Sequence, residues 1–196
     1  MKVLVIGWLA GGAFIVLLSA WPQSVAQPVE PARVTDTSPA VAQQPAIAGD
    51  VIVPVAGVDA GALRDNFLQP RAGGSRVHHA LDIMAPRGTP VIAAVPGTIR
   101  KLYTSAGGGL TVYEFDRAEE RVYSYAHLDS YANGISEGLV VEQGTVIGYV
   151  GSTGNAAANA PHLHFAIELL PPTKSWSRGI PVNPYPILTA RASARR

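Results

Sequence analysis

The sequence predicts a mainly β fold, an antiparallel sheet with hairpins and long loops, preceded by a signal or anchor segment and a linker. Two observations favour this class. From position 51 onward, short apolar runs rich in Val, Ile, Tyr and Thr alternate with Gly and Pro, as expected of strands separated by turns. Segments 121–128 and 162–169 alternate between two side-chain faces with a period of 2, which is the periodicity of a strand.

Residues 1–26 have the composition of a secretory signal peptide. Lys2 precedes an uncharged apolar run at 3–20, and Ser24-Val25-Ala26 is a small-x-small cleavage pattern. The apolar run is also at the lower edge of the length of a membrane span, so an uncleaved membrane anchor is the alternative to cleavage after Ala26. Both interpretations predict an exported chain, in the periplasm or cell envelope, that contacts a membrane only if this segment is uncleaved.

The remaining chain divides by composition. Residues 27–50 carry four prolines among Ala, Val, Gln and Thr, which is typical of a flexible or partly extended linker. We predict a folded domain over 51–188 and a basic tail over 189–196. Within the domain we expect a short helix in 60–67, turns at 107–109 and 116–120, and an irregular closing segment around 184–186.

Charge and cysteine content exclude several kinds of partner and site. The 15 Lys and Arg residues nearly balance the 14 Asp and Glu residues, so no net field indicates nucleic acid as a partner. The chain has no cysteine, which excludes disulfides, thiolate metal sites and a cysteine nucleophile.

The segment 162–169 places two imidazoles on one face of a strand. His162 and His164 share a face with Ala166 and Glu168, and the other face is entirely apolar. Both histidines are therefore expected to project away from the core. A period of 2 does not rank which of the two would bind a metal ion.

The segment 121–128 predicts a second strand beside the first. The alternation places Arg121, Tyr123, Tyr125 and His127 on one face. We expect this aromatic and histidine face to line the same groove as His162 and His164.

A third cluster, His78-His79-Ala80-Leu81-Asp82, adds a carboxylate four residues after an imidazole. In an extended strand His78 and Asp82 would be about 13 Å apart, too far to share one ion. Because zinc ligands lie about 2 Å from the ion, a shared site requires a bend, which we expect around Ala80.

The three clusters together supply imidazole and carboxylate donors of the kind that catalytic zinc uses, with three protein ligands and a fourth position left for water. Without thiolates or a carboxylate cluster, Zn²⁺ fits better than Fe–S or Ca²⁺. Such an ion polarises a carbonyl and acidifies water, which favours a hydrolase.

Three ordered motifs carry a family resemblance. The segment 76–91, RVHHALDIMAPRGTPV, resembles the first signature of lysostaphin-type zinc metallopeptidases. Tyr125-Ala126-His127-Leu128 is similar to their second element, and GSTGN at 151–155 followed by PHLHF at 161–165 is similar to their third. The resemblance covers about 53–168, nearly the whole predicted domain.

The resemblance implies a β-sheet groove fold and zinc-dependent hydrolysis of the peptides of bacterial cell-wall peptidoglycan. It implies His78, Asp82 and His164 as zinc ligands and His127 and His162 as catalytic histidines that orient water and stabilise the oxyanion. His79 is then a spare, exposed residue. The family usually has Gly at the position of Ala80, so the bend there must accommodate a methyl group.

Two functions of different classes follow as alternatives, and an enzyme that acts on protein substrates outside the wall is a third. The first is a zinc metalloendopeptidase that acts on cross-links or stem peptides of peptidoglycan. The second is a catalytically inactive module of the same fold that binds peptidoglycan or regulates another wall hydrolase. Degenerate family members of the second kind lose metal ligands, whereas this chain keeps all five motif residues, which favours the enzyme.

Overall fold

The computed structural model describes residues 51–194. The predicted signal or anchor segment at 1–26, the linker at 27–50 and the end of the basic tail at 195–196 lie outside the described residues. The described chain forms strands and one α-helix with these bounds: β1 Pro70–Arg71, β2 Arg76–Val77, β3 Leu81–Met84, β4 Pro90–Ile92, β5 Gly97–Ser105, β6 Gly109–Asp116, β7 Arg121–Tyr131, β8 Val140–Val141, β9 Val146–Val150, β10 His162–Leu169, β11 Ile180–Val182 and α1 Pro184–Ala194.

Nine of the strands form one sheet in which all pairings are antiparallel, which confirms the predicted fold class. The main path runs β11-β10-β7-β6-β5-β8, and β9 joins β7 to β4. Strand β3 pairs with the first half of β10 and β11 with its second half, so the two short strands share one edge of β10. The short strands β1 and β2 form a separate hairpin just before β3.

The side chains of strand β10 alternate between the core and the opposite face of the sheet, as the sequence predicts. Leu163, Phe165 and Ile167 are fully buried, because apolar side chains at every second position share one face. Phe165 lies opposite Tyr125 of β7, with ring centroids 5.4 Å apart. His162 and His164 lie between these residues on the other face and are only partly buried.

The predicted turns at 107–109 and 116–120 are confirmed as the connections between β5, β6 and β7. Gly109 has a left-handed backbone, and a Cβ there would collide with Thr153 and Gly154. The β5–β6 turn and the loop after β9 can therefore approach closely only because this position is glycine.

Two local predictions are wrong. The expected helix over 60–67 is a single 3₁₀ turn, Ala60–Ala62, which ends because the backbone of Leu63 is extended. The segment around 184–186 begins α1 instead of being irregular, since Pro184 tolerates the first helical position and the side chain of Asn183 accepts a hydrogen bond from the Tyr185 N–H. Helix α1 continues to Ala194, so the predicted tail at 189–196 begins within it.

Among residues 51–194, no helix is both long enough and apolar enough to span a membrane.

Candidate metal centre

Three donor atoms meet beside the paired strands β3 and β10. His78 Nε2 lies 2.9 Å from Asp82 Oδ1 and 3.0 Å from His164 Nδ1, and His164 Nδ1 lies 3.1 Å from Asp82 Oδ1. Ligands about 2.1 Å from one tetrahedral ion are separated by about 3.4 Å, so a shift of a few tenths of an ångström adapts this triangle to an ion. The donor set of two imidazoles and one carboxylate also fits the chemistry of zinc.

Local backbone geometry brings these residues together. Asp82 is the register partner of His164 across the β3–β10 pair, so the two side chains lie on the same face of the sheet. His78 reaches the same point because the chain bends at His79, whose φ of 56° is left-handed. The bend was predicted around Ala80, which is fully buried and does not have a positive φ, so its methyl group does not occupy the turning position.

Asn66 fixes two members of the triangle at once. The His78 Nδ1–H donates to the Asn66 backbone carbonyl at 3.0 Å, which directs the lone pair of Nε2 toward the other donor atoms. The side-chain oxygen of Asn66 accepts a hydrogen bond from the Asp82 N–H at 3.2 Å. Nothing in the sequence pattern indicated Asn66, because it precedes the motif and acts through the fold.

Arg71 holds the second oxygen of the Asp82 carboxylate. Its Nη2 lies 2.5 Å from Asp82 Oδ2, while Oδ1 faces the two imidazoles. The two oxygens therefore have separate partners, and Oδ1 stays directed toward the point where an ion would be held. This residue, too, was missed in the sequence.

The ionisation states of Asp82 and His164 suit a cation. Burial raises the pKa of Asp82, but hydrogen bonds with His164 and His78 outweigh burial and hold that pKa below its ordinary value. Burial lowers the pKa of His164, although Asp82 opposes the shift. An ionised carboxylate and a neutral imidazole are the protonation states that bind metals.

His127 faces the same cavity because of a β-bulge. Two β7 residues, Ala126 and His127, lie opposite the single residue Thr111 of β6, and the φ of His127 is 62°. Such a bulge re-aims a side chain. The predicted shared face is therefore wrong, because Arg121, Tyr123 and Tyr125 are buried away from the cavity and only His127 of the four lines it. The His127 ring lies 5.0 Å from that of His162 and 5.4 Å from that of His164.

Backbone carbonyls orient both remaining histidines. The His127 Nδ1–H donates to the Thr153 carbonyl at 2.8 Å, and the His162 Nδ1–H donates to the Ala160 carbonyl at 2.8 Å. Each ring therefore presents Nε2 as an acceptor. Burial lowers the pKa of His127 to about 4, so this ring is neutral at pH 7.

His162 and His164 lie at different distances from the Asp82 carboxylate. His162 Nε2 lies 3.7 Å from Asp82 Oδ1, farther than the 3.1 Å of His164 Nδ1. His79 is exposed, and its ring packs against Phe67 at a centroid distance of 5.5 Å. The five motif residues all line one cavity. They are His78, Asp82, His127, His162 and His164, and His79 is not in that lining.

Comparison with known proteins decides the family. The sequence model of peptidase family M23 matches residues 76–184, which is more than half of the chain.

The chain belongs to peptidase family M23.

The chain is similar to the L-Ala–D-Glu endopeptidase of Bacillus subtilis, with 35% identity over 123 residues that cover 60% of this chain and 36% of the relative. It is also similar to the peptidoglycan DD-endopeptidase ShyC of Vibrio cholerae, with 34% identity over 98 residues that cover 50% of this chain and 22% of the relative. The crystallised catalytic domain of lysostaphin from Staphylococcus simulans is 33% identical, with a TM-score of 0.51, and the match covers 60% of this chain and 82% of that domain.

These similarities confirm the lysostaphin-type resemblance and the fold. Members of this family are metallopeptidases, so the chain is a peptidase-family protein with a His-Asp-His group able to hold a metal. It spans about a third or less of the two curated relatives.

Proposed function

We propose that this chain is a zinc-dependent endopeptidase that hydrolyses peptide cross-links or stem peptides of bacterial peptidoglycan. The observation that carries the proposal is the convergence of the ligand triangle and two further imidazole Nε2 atoms on one cavity. In this proposal His78, Asp82 and His164 hold the ion, and His127 and His162 act on the reacting atoms.

Zinc, when bound, would polarise the scissile carbonyl and acidify a water molecule. The chain's own contribution is to bind and move protons. His127 and His162 each offer an acceptor nitrogen whose direction a backbone carbonyl fixes, so either ring can take a proton from the attacking water. The protonated ring then carries positive charge beside the developing oxyanion and can return the proton to the leaving amine.

The substrate assignment is supported by the relatives. Those compared above are named as endopeptidases or an antimicrobial peptidase, and one as a peptidoglycan endopeptidase. We infer that this chain meets its substrate outside the cytoplasm, after export directed by residues 1–26. Cleavage after Ala26 would give a mature protein that begins at Gln27 in amino-terminal sequencing, whereas an intact Met1 in membrane fractions would favour the anchor.

The direct test is release of peptides from purified peptidoglycan sacculi. We expect the purified protein to release soluble peptides and expose new amino groups, to stop when zinc is removed by a chelator, and to resume when zinc is restored. A protein that binds zinc and sacculi without releasing peptide would instead be the inactive binding module.

A further inference from the structure

The cavity beside the metal centre has more positive charge than the proposed hydrolysis uses. It measures about 570 Å³, and its lining includes Arg71 and Arg76 besides the five motif side chains. Of residues 51–194, Asp82 is the one carboxylate in this lining. The two guanidinium groups therefore leave an excess positive charge that a divalent ion would increase.

The two arginines are held opposite each other by the β1–β2 hairpin. Arg71 and Arg76 are register partners in this two-stranded ladder. Like charges directly opposite each other destabilise an antiparallel pair. The turn between them also contains Ala72 with a φ of 50°, a left-handed conformation that costs a non-glycine residue free energy. Strain of this kind is typical of functional sites.

Within residues 51–194, only one of the two arginines has a counter-ion. Arg71 pairs with Asp82 Oδ2, as described above. Arg76 is exposed, and within the described part of the chain no carboxylate lies within ion-pair distance of it. Among residues 51–194, Arg76 thus has no carboxylate partner, and it lies in the cavity lining beside the paired Arg71.

We propose that the Arg71–Arg76 hairpin is a subsite for a free carboxylate of the substrate, separate from the scissile bond. This inference rests on the proposed function and narrows its substrate class to peptides that carry such a carboxylate. Guanidinium groups bind carboxylates through charge-assisted hydrogen bonds in a fixed geometry. The neighbouring lining at 156–157 and 107–108 is small and uncharged, which leaves room for an acidic group. An uncharged peptide leaves Arg76 without a partner.

Arg76 is the residue to change. Arg71 contacts a proposed metal ligand, so its substitution would disturb the ion and the subsite together. Arg76 is exposed, and within residues 51–194 its side chain forms no ion pair, so Arg76→Gln is expected to fold. Arg178 is exposed and outside the cavity lining, and Arg178→Gln is the matched control for loss of one surface charge.

The experiment compares two forms of one substrate. Purified sacculi are used untreated and after carbodiimide coupling that converts free carboxylates to amides. We expect amidation to lower the rate of peptide release by wild type and by Arg178→Gln roughly ten- to hundredfold, the range for a hydrogen bond to a charged group. Arg76→Gln should be slow on untreated sacculi by a similar factor and indifferent to amidation, and Arg76→Lys should recover part of the difference.

Binding of synthetic stem peptides separates this inference from the proposed function. Calorimetry on the zinc-loaded protein compares three synthetic peptides: one with all its carboxylates free, one with its C-terminal carboxylate converted to an amide, and one with its side-chain carboxylate converted to an amide. The amide that weakens binding to wild type identifies the carboxylate that the subsite recognises. The inference is overturned if wild type and Arg76→Gln respond equally to amidation in both assays. If wild type cleaves neither form of the sacculi but binds the carboxylate through Arg76, the proposed function fails and the subsite stands.

Discussion

Asp82, which is partly buried, and Glu114, which is fully buried, are two carboxylates of the same sheet with opposite properties. The side chain of Asp82 is 14% exposed and has two imidazoles and one guanidinium as partners. Glu114 is fully buried, and Oε2 accepts one hydrogen bond, from the Tyr125 hydroxyl at 2.5 Å, while Oε1 has no hydrogen-bond partner among residues 51–194. The pKa of Asp82 is held low, whereas burial raises that of Glu114 to about 8.

The difference shows that the surroundings of a carboxylate, more than its depth, assign its role. Cationic and N–H donors stabilise the ionised form of Asp82, which is the form that binds a metal. Glu114 has only a neutral hydroxyl, itself accepting from the Ala94 N–H at 2.9 Å, so its protonated form is favoured. We therefore assign Asp82 to chemistry and Glu114 to the core, and the following substitutions test that division in order of their expected effect on wall hydrolysis.

The largest effect is expected from Asp82→Asn. The substitution removes an anionic ligand, and several kcal/mol of transition-state stabilisation depends on the ion, so peptide release from sacculi should fall on the order of a thousandfold or more. Glu114→Gln should leave the rate at pH 7 nearly unchanged, because Glu114 is not part of the cavity lining and glutamine resembles its protonated form. Comparable losses in the two variants would remove the functional distinction between the carboxylates.

His127→Ala and His162→Ala should give the next largest effect. Loss of one general base or oxyanion-stabilising group costs about a hundredfold in rate, roughly 3 kcal/mol. Because neither ring belongs to the ligand triangle, elemental analysis should find near-stoichiometric zinc in both variants. Zinc lost from His162→Ala but kept in His164→Ala would reverse their roles.

Asn66→Ala should have a smaller effect, through the metal ligands it orients. Without its side chain the Asp82 N–H loses its acceptor, and zinc affinity should fall roughly tenfold in a competition titration with a chelator. Asn66→Asp keeps an acceptor and should restore most of the affinity, whereas the exposed Asn133→Ala serves as the control. Equal affinities for all of these proteins would show that Asn66 does not position the ligands.

Glu114→Gln should change stability with pH rather than hydrolysis. The folded pKa of about 8 lies above the ordinary value of 4.5, so the folded state keeps a proton that the unfolded chain loses. Wild-type stability should fall as pH rises from about 4.5 to about 8, by on the order of a few kcal/mol, and then level off. In Glu114→Gln this decline should be absent; an unchanged slope in denaturant titrations would show that Glu114 ionises normally.

The sequence predicts the sheet and the set of five motif residues better than it predicts how they are brought together. Strand β10 was predictable because its apolar residues recur at every second position and the whole strand follows that period. The period of 2 in β7 is interrupted at His127 by the β-bulge, and this bulge depends on contacts with the β5–β6 turn, which the sequence of β7 does not contain. The His127 N–H donates to the Gly108 carbonyl, and its ring is oriented by Thr153.

The same limit explains the residues that were missed. Asn66 contacts Asp82 across sixteen positions, and Arg71 reaches it across eleven, so no local pattern could connect them. The helix expected at 60–67 does not continue past Ala62. The side chain of Asp65 accepts a hydrogen bond from the Phe67 N–H, which stabilises a turn there instead. Side chains that compete for backbone groups override helix propensities.

The most direct test of the metal centre is zinc content, measured by elemental analysis in wild type, His164→Ala and His79→Ala. The two variants each remove one imidazole from neighbouring parts of the same molecule, but only His164 contributes a donor atom to the ligand triangle. We expect about one zinc per chain in wild type and in His79→Ala and far less in His164→Ala. Equal zinc content in all three proteins would contradict the assignment of His78, Asp82 and His164 as the metal ligands.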